Sequence, residues 1–251
     1  MAKILNSSTH LDNDLLTIHS ERKRHILKFI VWLLALFPFI VTFKFISFFI
    51  ALLILVFFVI PNWRRYQDSL NDYNKVLAGA NGEKKSINIY SNLPDSYSVI
   101  SDLEIVTDGR KSQIDAVVIG VNGIFVIETK NINGYIYGSE KDDQITQLKV
   151  GRKGGEYSKT MYNPIKQVNT HVHRLSQYLK QNGMNSIVQG IVFFTNIETS
   201  VTLNSKNMPV FSAKNDGDRE IINYIQDYNK NNISSFEKQK IEQLLLRCVI
   251  K

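Results

Sequence analysis

Asp115, Glu128 and Lys130 are the residues whose types and spacing point to chemistry. Two converging carboxylates can hold one hard divalent cation, and an ammonium beside them can orient an attacking water or steady a phosphoryl oxygen. The three fall in two apolar runs, 113–120 and 124–130, separated by Val121-Asn122-Gly123. Asn-Gly between apolar runs predicts a β-hairpin with a type I′ turn, because that turn needs positive φ at both central residues. A two-residue loop at Asn122-Gly123 makes Val121 face Ile124, Val117 face Glu128 and Asp115 face Lys130. Side chains alternate along a strand, so the three ionic residues then share a face. Asp115 and Glu128 become diagonal neighbours, roughly 7–8 Å apart at the backbone. Burying three charges at the end of an aliphatic hairpin is costly unless they are paired or hold a metal. The alternative is a strand end that reaches solvent and carries an ordinary surface ion pair.

The elements that must position these residues read as a mixed α/β domain over 79–251. Tyr66, Leu70, Tyr73 and Leu77 recur at helical spacing and predict a linker helix over 63–78. Gly79-Ala-Asn-Gly82 then marks a break, with Glu83 directly after it. Strands are predicted over 98–106, in the hairpin, and over 134–138. Gly151-Arg-Lys-Gly-Gly155 reads as a flexible loop, in which Arg152 and Lys153 are candidate contacts to a phosphate backbone or simply solvated. Asn163-Pro164 opens a helix that stops at Gln181-Asn182-Gly183, with Ile165, Val168, Val172, Leu175 and Leu179 forming its apolar stripe. Asn163 is either the cap of that helix or a substrate contact. His171 and His173 lie two apart on it and point to different faces, which argues against a chelating pair. The apolar run 187–195 suits a strand covered on both faces. A further strand over 208–212 and helices over 218–228 and 234–251 complete an α/β sandwich around a mixed sheet.

Ahead of this domain, 26–60 is almost wholly apolar, broken by Lys28, Lys44 and a few hydroxyl residues. As one helix it would be roughly 50 Å long, against a hydrocarbon core of about 30 Å. The segment 26–62 is therefore read as a transmembrane helical hairpin of two short spans, 29–43 and 45–60, with Lys44 at the far turn. Basic clusters on both flanks, Arg22-Lys-Arg24 and Arg64-Arg65, place both ends on the cytoplasmic side, and Trp32 and Trp63 are candidate interfacial anchors. A single span kinked at Pro38 and a buried core helix are the alternatives. Residues 1–25 read as a polar tail, mobile or weakly helical. The net charge of +7 is unevenly placed: 9 Lys and Arg stand against 5 Asp and Glu in 1–78, and 21 against 18 in 79–251. The pI is thus weak evidence for nucleic acid. The single cysteine, Cys248, excludes an intrachain disulfide and a thiolate zinc site.

Gly82-Glu83, Gln113-Ile-Asp-Ala-Val-Val-Ile, Gly123-Ile-Phe-Val-Ile-Glu-Thr-Lys-Asn131 with Gly134, and Asn163-Pro-Ile-Lys-Gln167 resemble the nuclease-related domain (NERD) family. That family is similar to the PD-(D/E)xK nucleases with a restriction-endonuclease-like core. The resemblance implies that Asp115, Glu128 and the Thr129 carbonyl hold Mg²⁺, with Mn²⁺ as a substitute. It implies that Lys130 orients and deprotonates the attacking water or steadies the scissile phosphate. Glu83 would reach the same centre, and Gln167 would position substrate or water. Ile114-Asp115 stands where the wider group has Pro-Asp. Glu83 has a plainer reading as a first-turn acid favoured by the helix dipole, and Gln167 as an exposed helix residue.

The expectation is a restriction-endonuclease-like mixed sheet flanked by helices, held at the cell membrane and acting in the cytoplasm on DNA. The alternative is a module that binds nucleic acid or a protein partner at the bilayer and cleaves nothing.

Overall fold

The computed structural model describes residues 1–6, 10–42, 46–151 and 154–250. It divides into two compact units, Leu11–Ala78 and a second made of Met1–His10 with Gly79–Lys251.

The first unit is helical: α1 (His10–Thr42), α2 (Ile46–Ile54), a π-helical turn (Leu55–Val59) and the start of α3 (Ile60–Tyr90). Pro61 has no N–H for the helix ladder, and the chain absorbs it with the π turn just before, where Asn62 Nδ2 donates to the Phe58 carbonyl at 2.8 Å. Trp32 stacks on Phe58 with ring centroids 4.1 Å apart, Phe29 meets Trp63 at 5.1 Å, and the Arg22 guanidinium lies 4.7 Å from the Tyr73 ring centre. These pairs set α1 antiparallel to the helices after it. One helical run among the described residues, Phe48–Tyr90, is long and apolar enough to cross a bilayer, where the sequence suggested two short spans. Phe43, Lys44 and Phe45, the expected turn, lie outside the described residues.

Two further expectations are corrected. Residues 1–25 are not a free tail: Lys3–Ile4 form β1 in the second unit's sheet, and 10–25 lie in α1. Nor does Gly79-Ala-Asn-Gly82 break the helix, since α3 continues to Tyr90. Packing of Ile89 and Tyr90 into the core outweighs two glycines, each a loss of about 1 kcal/mol.

The second unit is built on a six-stranded mixed sheet in the order β1-β2-β3-β4-β8-β10. Its strands are β1, β2 (Ser98–Thr107), β3 (Arg110–Gly120), β4 (Gly123–Lys130), β8 (Val188–Phe194) and β10 (Val210–Ser212). The β4–β8 and β8–β10 pairs are parallel and the β2–β3–β4 meander is antiparallel. One face packs against the end of α3 and α5 (Gly217–Asp227) through Tyr90, Phe125, Phe193 and Ile221. The other packs against α4 (Pro164–Gln181) and α6 (Ser235–Leu246) through Val117, Val126, Leu175 and Leu245. Strands buried on both faces read as continuous apolar runs, which is why they stand out in the sequence. A second sheet, β7-β6-β5-β9, contains β5 (Gly134–Ser139), β6 (Gln144–Val150), β7 (Glu156–Tyr162) and β9 (Thr199–Asn204). The segment 134–138 therefore belongs to this sheet and does not extend the first.

The β3–β4 hairpin forms two residues away from its expected register. Gly120 pairs with Gly123 and Ala116 with Ile127, so the loop is Val121-Asn122. Neither loop residue, nor Gly123, has positive φ, and the type I′ turn is not made. Tertiary contacts decide this: Asn122 Nδ2 donates to the carbonyl of Ile225 at 2.6 Å, and Ile233 N donates to the Val121 carbonyl at 2.7 Å. A two-residue slip preserves which face each side chain takes. Continued by one position, the ladder sets Asp115 opposite Glu128.

Candidate active site

The chemistry-bearing residues gather where β3 and β4 end. Glu128 and Lys130 alternate onto one face, and Lys130 Nζ donates to Glu128 Oε1 at 2.6 Å. The same ammonium donates to Gln167 Oε1 at 3.2 Å. Gln167 arrives there because Asn163 caps α4 and Pro164 starts it, which sets Gln167 one turn in. Between the strands, Asp115 Oδ2 accepts from the Thr129 N–H at 2.9 Å.

Glu83 comes from α3, and the glycine before it explains how. A Cβ on Gly82 would lie 2.5 Å from Cβ of Asn131, so only glycine lets the helix approach the end of β4 this closely. Lys85 then donates to the Thr195 carbonyl at 2.6 Å, while Thr195 N donates to the Lys130 carbonyl at 3.0 Å. These two bonds tie α3 and the end of β8 to the end of β4.

The strands are distorted where the carboxylates sit. The β2–β3 ladder pairs Ser101 with Ala116 and Leu103 with Ile114 and leaves out Asp102 and Asp115. Asp102 has φ +51°, a region in which Asp is among the few non-glycine residues found. The apolar pattern slips with it: Ile100 and Leu103, three apart, face the same core, as do Ile114 and Val117.

Crowded carboxylates displace one another's titration. Burial, then Asp115, Asp102 and Glu128, push the Glu83 carboxyl up to about 8. Burial and Glu128 raise Asp115 to about 7, against the opposing pull of Lys130. Glu128 goes the other way: burial raises it, but the adjacent His171 and Lys130 more than offset that and hold it below its ordinary range. At neutral pH Glu83 thus favours its protonated form, Asp115 is poised between its two forms, and Glu128 keeps its negative charge. Oε2 of Glu83 is buried with no hydrogen-bond partner.

Five of the sequence-predicted site residues, Glu83, Asp115, Glu128, Lys130 and Gln167, meet here with Thr129. Asn163 does not join them. It is fully buried, its side-chain oxygen caps Ile165 N, and its amide donates to the carbonyls of Ser139 and Asp142, which leaves it nothing to offer a substrate. Arg152 and Lys153 lie outside the described residues.

Three contributors escaped the sequence reading. His171, buried on α4, places Nε2 3.4 Å from Glu128 Oε2, and its Nδ1 is 2.6 Å from Ser112 Oγ. Its signal was its spacing, four residues after Gln167 and therefore on the same helix face. Asp102 carried a weaker one, a buried acid in a strand that also holds Glu104. Ser112 had none.

Among the described residues no three His, Cys, Asp or Glu side chains converge closely enough to hold an ion by themselves. The donors nevertheless suit a hard divalent cation that keeps part of its water shell, as Mg²⁺ does. Asp115 and Glu128 supply carboxylates, and the Thr129 carbonyl points to the same edge of β4 as the N–H that meets Asp115.

Residues 78–195 match the nuclease-related domain, NERD. Over 105 residues the chain is 38% identical to an uncharacterized protein of Bacillus anthracis, a match that covers 41% of this chain and 47% of that protein. The chain thus spans about half the length of the curated relative it matches. No solved structure matches it.

Proposed function

We propose, on the match of residues 78–195 to the nuclease-related domain, that the protein is a membrane-anchored, cytoplasm-facing nuclease that hydrolyses phosphodiester bonds, principally of DNA. The observation that carries this reading is the Lys130 ammonium, held between Glu128 at 2.6 Å and Gln167 at 3.2 Å beside the half-buried Asp115. Carboxylates at the distorted end of a mixed sheet between helices also support a restriction-endonuclease-like core.

In this reading Asp115, Glu128 and the Thr129 carbonyl hold Mg²⁺ or Mn²⁺. When bound, the cation supplies Lewis acidity at the phosphoryl oxygen and charge stabilisation for the leaving group. Lys130 orients the attacking water and steadies the phosphate, and Gln167 fixes the ammonium from the helix side. Glu83, with its carboxyl raised to about 8, is a proton carrier suited to neutral pH. His171 positions Glu128 from behind.

The anchor is the apolar helical region. The antiparallel aromatic pairs of the first unit support a hairpin that enters and leaves the bilayer on one side, and the basic flanks Arg22-Lys-Arg24 and Arg64-Arg65 favour the cytoplasm as that side.

The test is incubation of the full chain, in detergent micelles, with supercoiled, linear and single-stranded DNA and with RNA, each with Mg²⁺, Mn²⁺ or EDTA. Cleavage that needs the divalent ion is expected, on DNA above RNA. A second reading, a binding module that cleaves nothing, draws on the closed Lys130–Glu128 contact. Salt-dependent binding without cleavage under either metal would favour it.

A further inference from the structure

Two clefts open side by side along the start of β3 and the exposed flank of α4. The first, about 350 Å³, begins at Gln167 and His171, the two α4 residues that touch Lys130 and Glu128, and runs past Gln113 and Tyr162 to Arg174. The second, about 290 Å³, continues from Arg174 past His173 and Gln177 to Arg110. Arg174 belongs to both. From Gln167 to Gln177 the helix advances about 15 Å.

Apart from Tyr162, the lining side chains are polar or ionic, with no aliphatic residue among them. Arg174 donates to the backbone carbonyl of Lys111, which fixes its guanidinium across the gap between helix and strand. Arg110 is exposed and has no carboxylate partner among the described residues. Lys111 is partly neutralised by Glu104 at 2.9 Å, and Asp108 at the outer end accepts from Gln177 at 3.4 Å. Tyr162, more than half exposed, offers a ring face at the mouth of the inner cleft. Fixed guanidinium groups match phosphate geometry, and an exposed aromatic ring suits an unstacked base.

We propose that the two clefts form one track that holds the phosphodiester backbone of a nucleic-acid strand, with Arg174 at its centre and Arg110 at its outer end, and delivers it to Lys130 and Glu128. The track rests on the nuclease reading for its destination, but binding along it needs no metal and no chemistry. It assigns substrate contacts to α4 and β3, where the sequence suggested the loop at Arg152 and Lys153.

The test measures binding and cleavage separately. The full chain in detergent micelles is titrated, in EDTA and across a salt series, into short labelled single-stranded DNA, duplex DNA and RNA, with fluorescence anisotropy as the readout. Arg110→Ala and Arg174→Ala are each expected to weaken binding about five- to tenfold and to lower the salt slope by about 1. Lys240→Ala on α6, an equal charge loss elsewhere, is expected to leave both unchanged. Arg110→Glu keeps the test decisive if Arg174→Ala fails to fold, because the exposed Arg110 side chain makes no hydrogen bond or ion pair among the described residues; it should weaken binding further. Parental affinity and slope in the Arg110 variants would overturn the track, even if cleavage persists. Loss of binding in those variants, in a protein that never cleaves, would keep the track and overturn the nuclease reading instead.

Discussion

The two ends of the β3–β4 hairpin are built to opposite rules. At the turn, Asn122 donates to two carbonyls of α5, the Val121 carbonyl receives Ile233 N, and Gly120 and Gly123 sit against the rings of Tyr97 and Tyr228. At the other end the ladder lapses, Asp102 takes a left-handed conformation, two carboxyls titrate near neutrality, and Glu83 Oε2 lacks a partner. Local order at one end offsets the cost of crowding like charges at the other. Such a contrast within one supersecondary unit is expected where a fold gives up stability for a site.

The comparison predicts that variants at the two ends fail differently. The largest effect belongs to the charged end: Glu128→Gln keeps the shape and removes the anion, and should cut metal-dependent cleavage about 100-fold or more. Steady-state kinetics beside a thermal melt would show activity lost without collapse of the fold. At the turn the order reverses. A Cβ on Gly120 would meet the Tyr97 ring at 2.3 Å, so Gly120→Ala should cost about 1–3 kcal/mol in denaturant unfolding, with cleavage per folded molecule unchanged. If Gly120→Ala lowers turnover while stability holds, the two ends are not separable as claimed.

A smaller effect sharpens the contrast through pH. Glu83 and Asp115 titrate higher in the fold, near 8 and 7, than in the unfolded chain, at about 4. Their contribution to stability is complete below about pH 4 and is lost as pH rises through 7 and 8, because the unfolded state gives up those protons first. The melting temperature in EDTA should therefore fall from pH 5 to pH 8. Mg²⁺ should raise it more at pH 8 than at pH 6, since the cation takes the ionised carboxylates. Equal gains at both pH values would remove Asp115 from the proposed ligand set.

Much of the site was legible in advance because faces survive a register error. The hairpin slipped by two residues, yet Glu128 and Lys130 still share a side, since alternation has a period of two. The core strands and α4 were equally readable from apolar runs and the Asn163-Pro164 start. What escaped depends on tertiary contact. The strand Glu156–Tyr162 is largely polar and exposed, Gln144–Val150 mixes polar and apolar residues, and neither carries an apolar run to betray it. The pairing of Lys3–Ile4 with β2 joins residues about a hundred apart in sequence. That strand also bears on experiment, for a domain truncated to start near residue 79 would lose the edge strand of its main sheet. Asp102, Ser112 and His171 became part of the site only when strand distortion and helix docking brought them to it.

The most direct test sets Asp115→Ala and Lys130→Ala beside the parent, all as full chains in micelles with Mg²⁺ and linear DNA, and follows cleavage together with circular dichroism. The account predicts parental spectra for both variants and cleavage reduced to the EDTA background. Variants that cut DNA as fast as the parent would contradict it, and the charged end of the hairpin would have to be explained without catalysis.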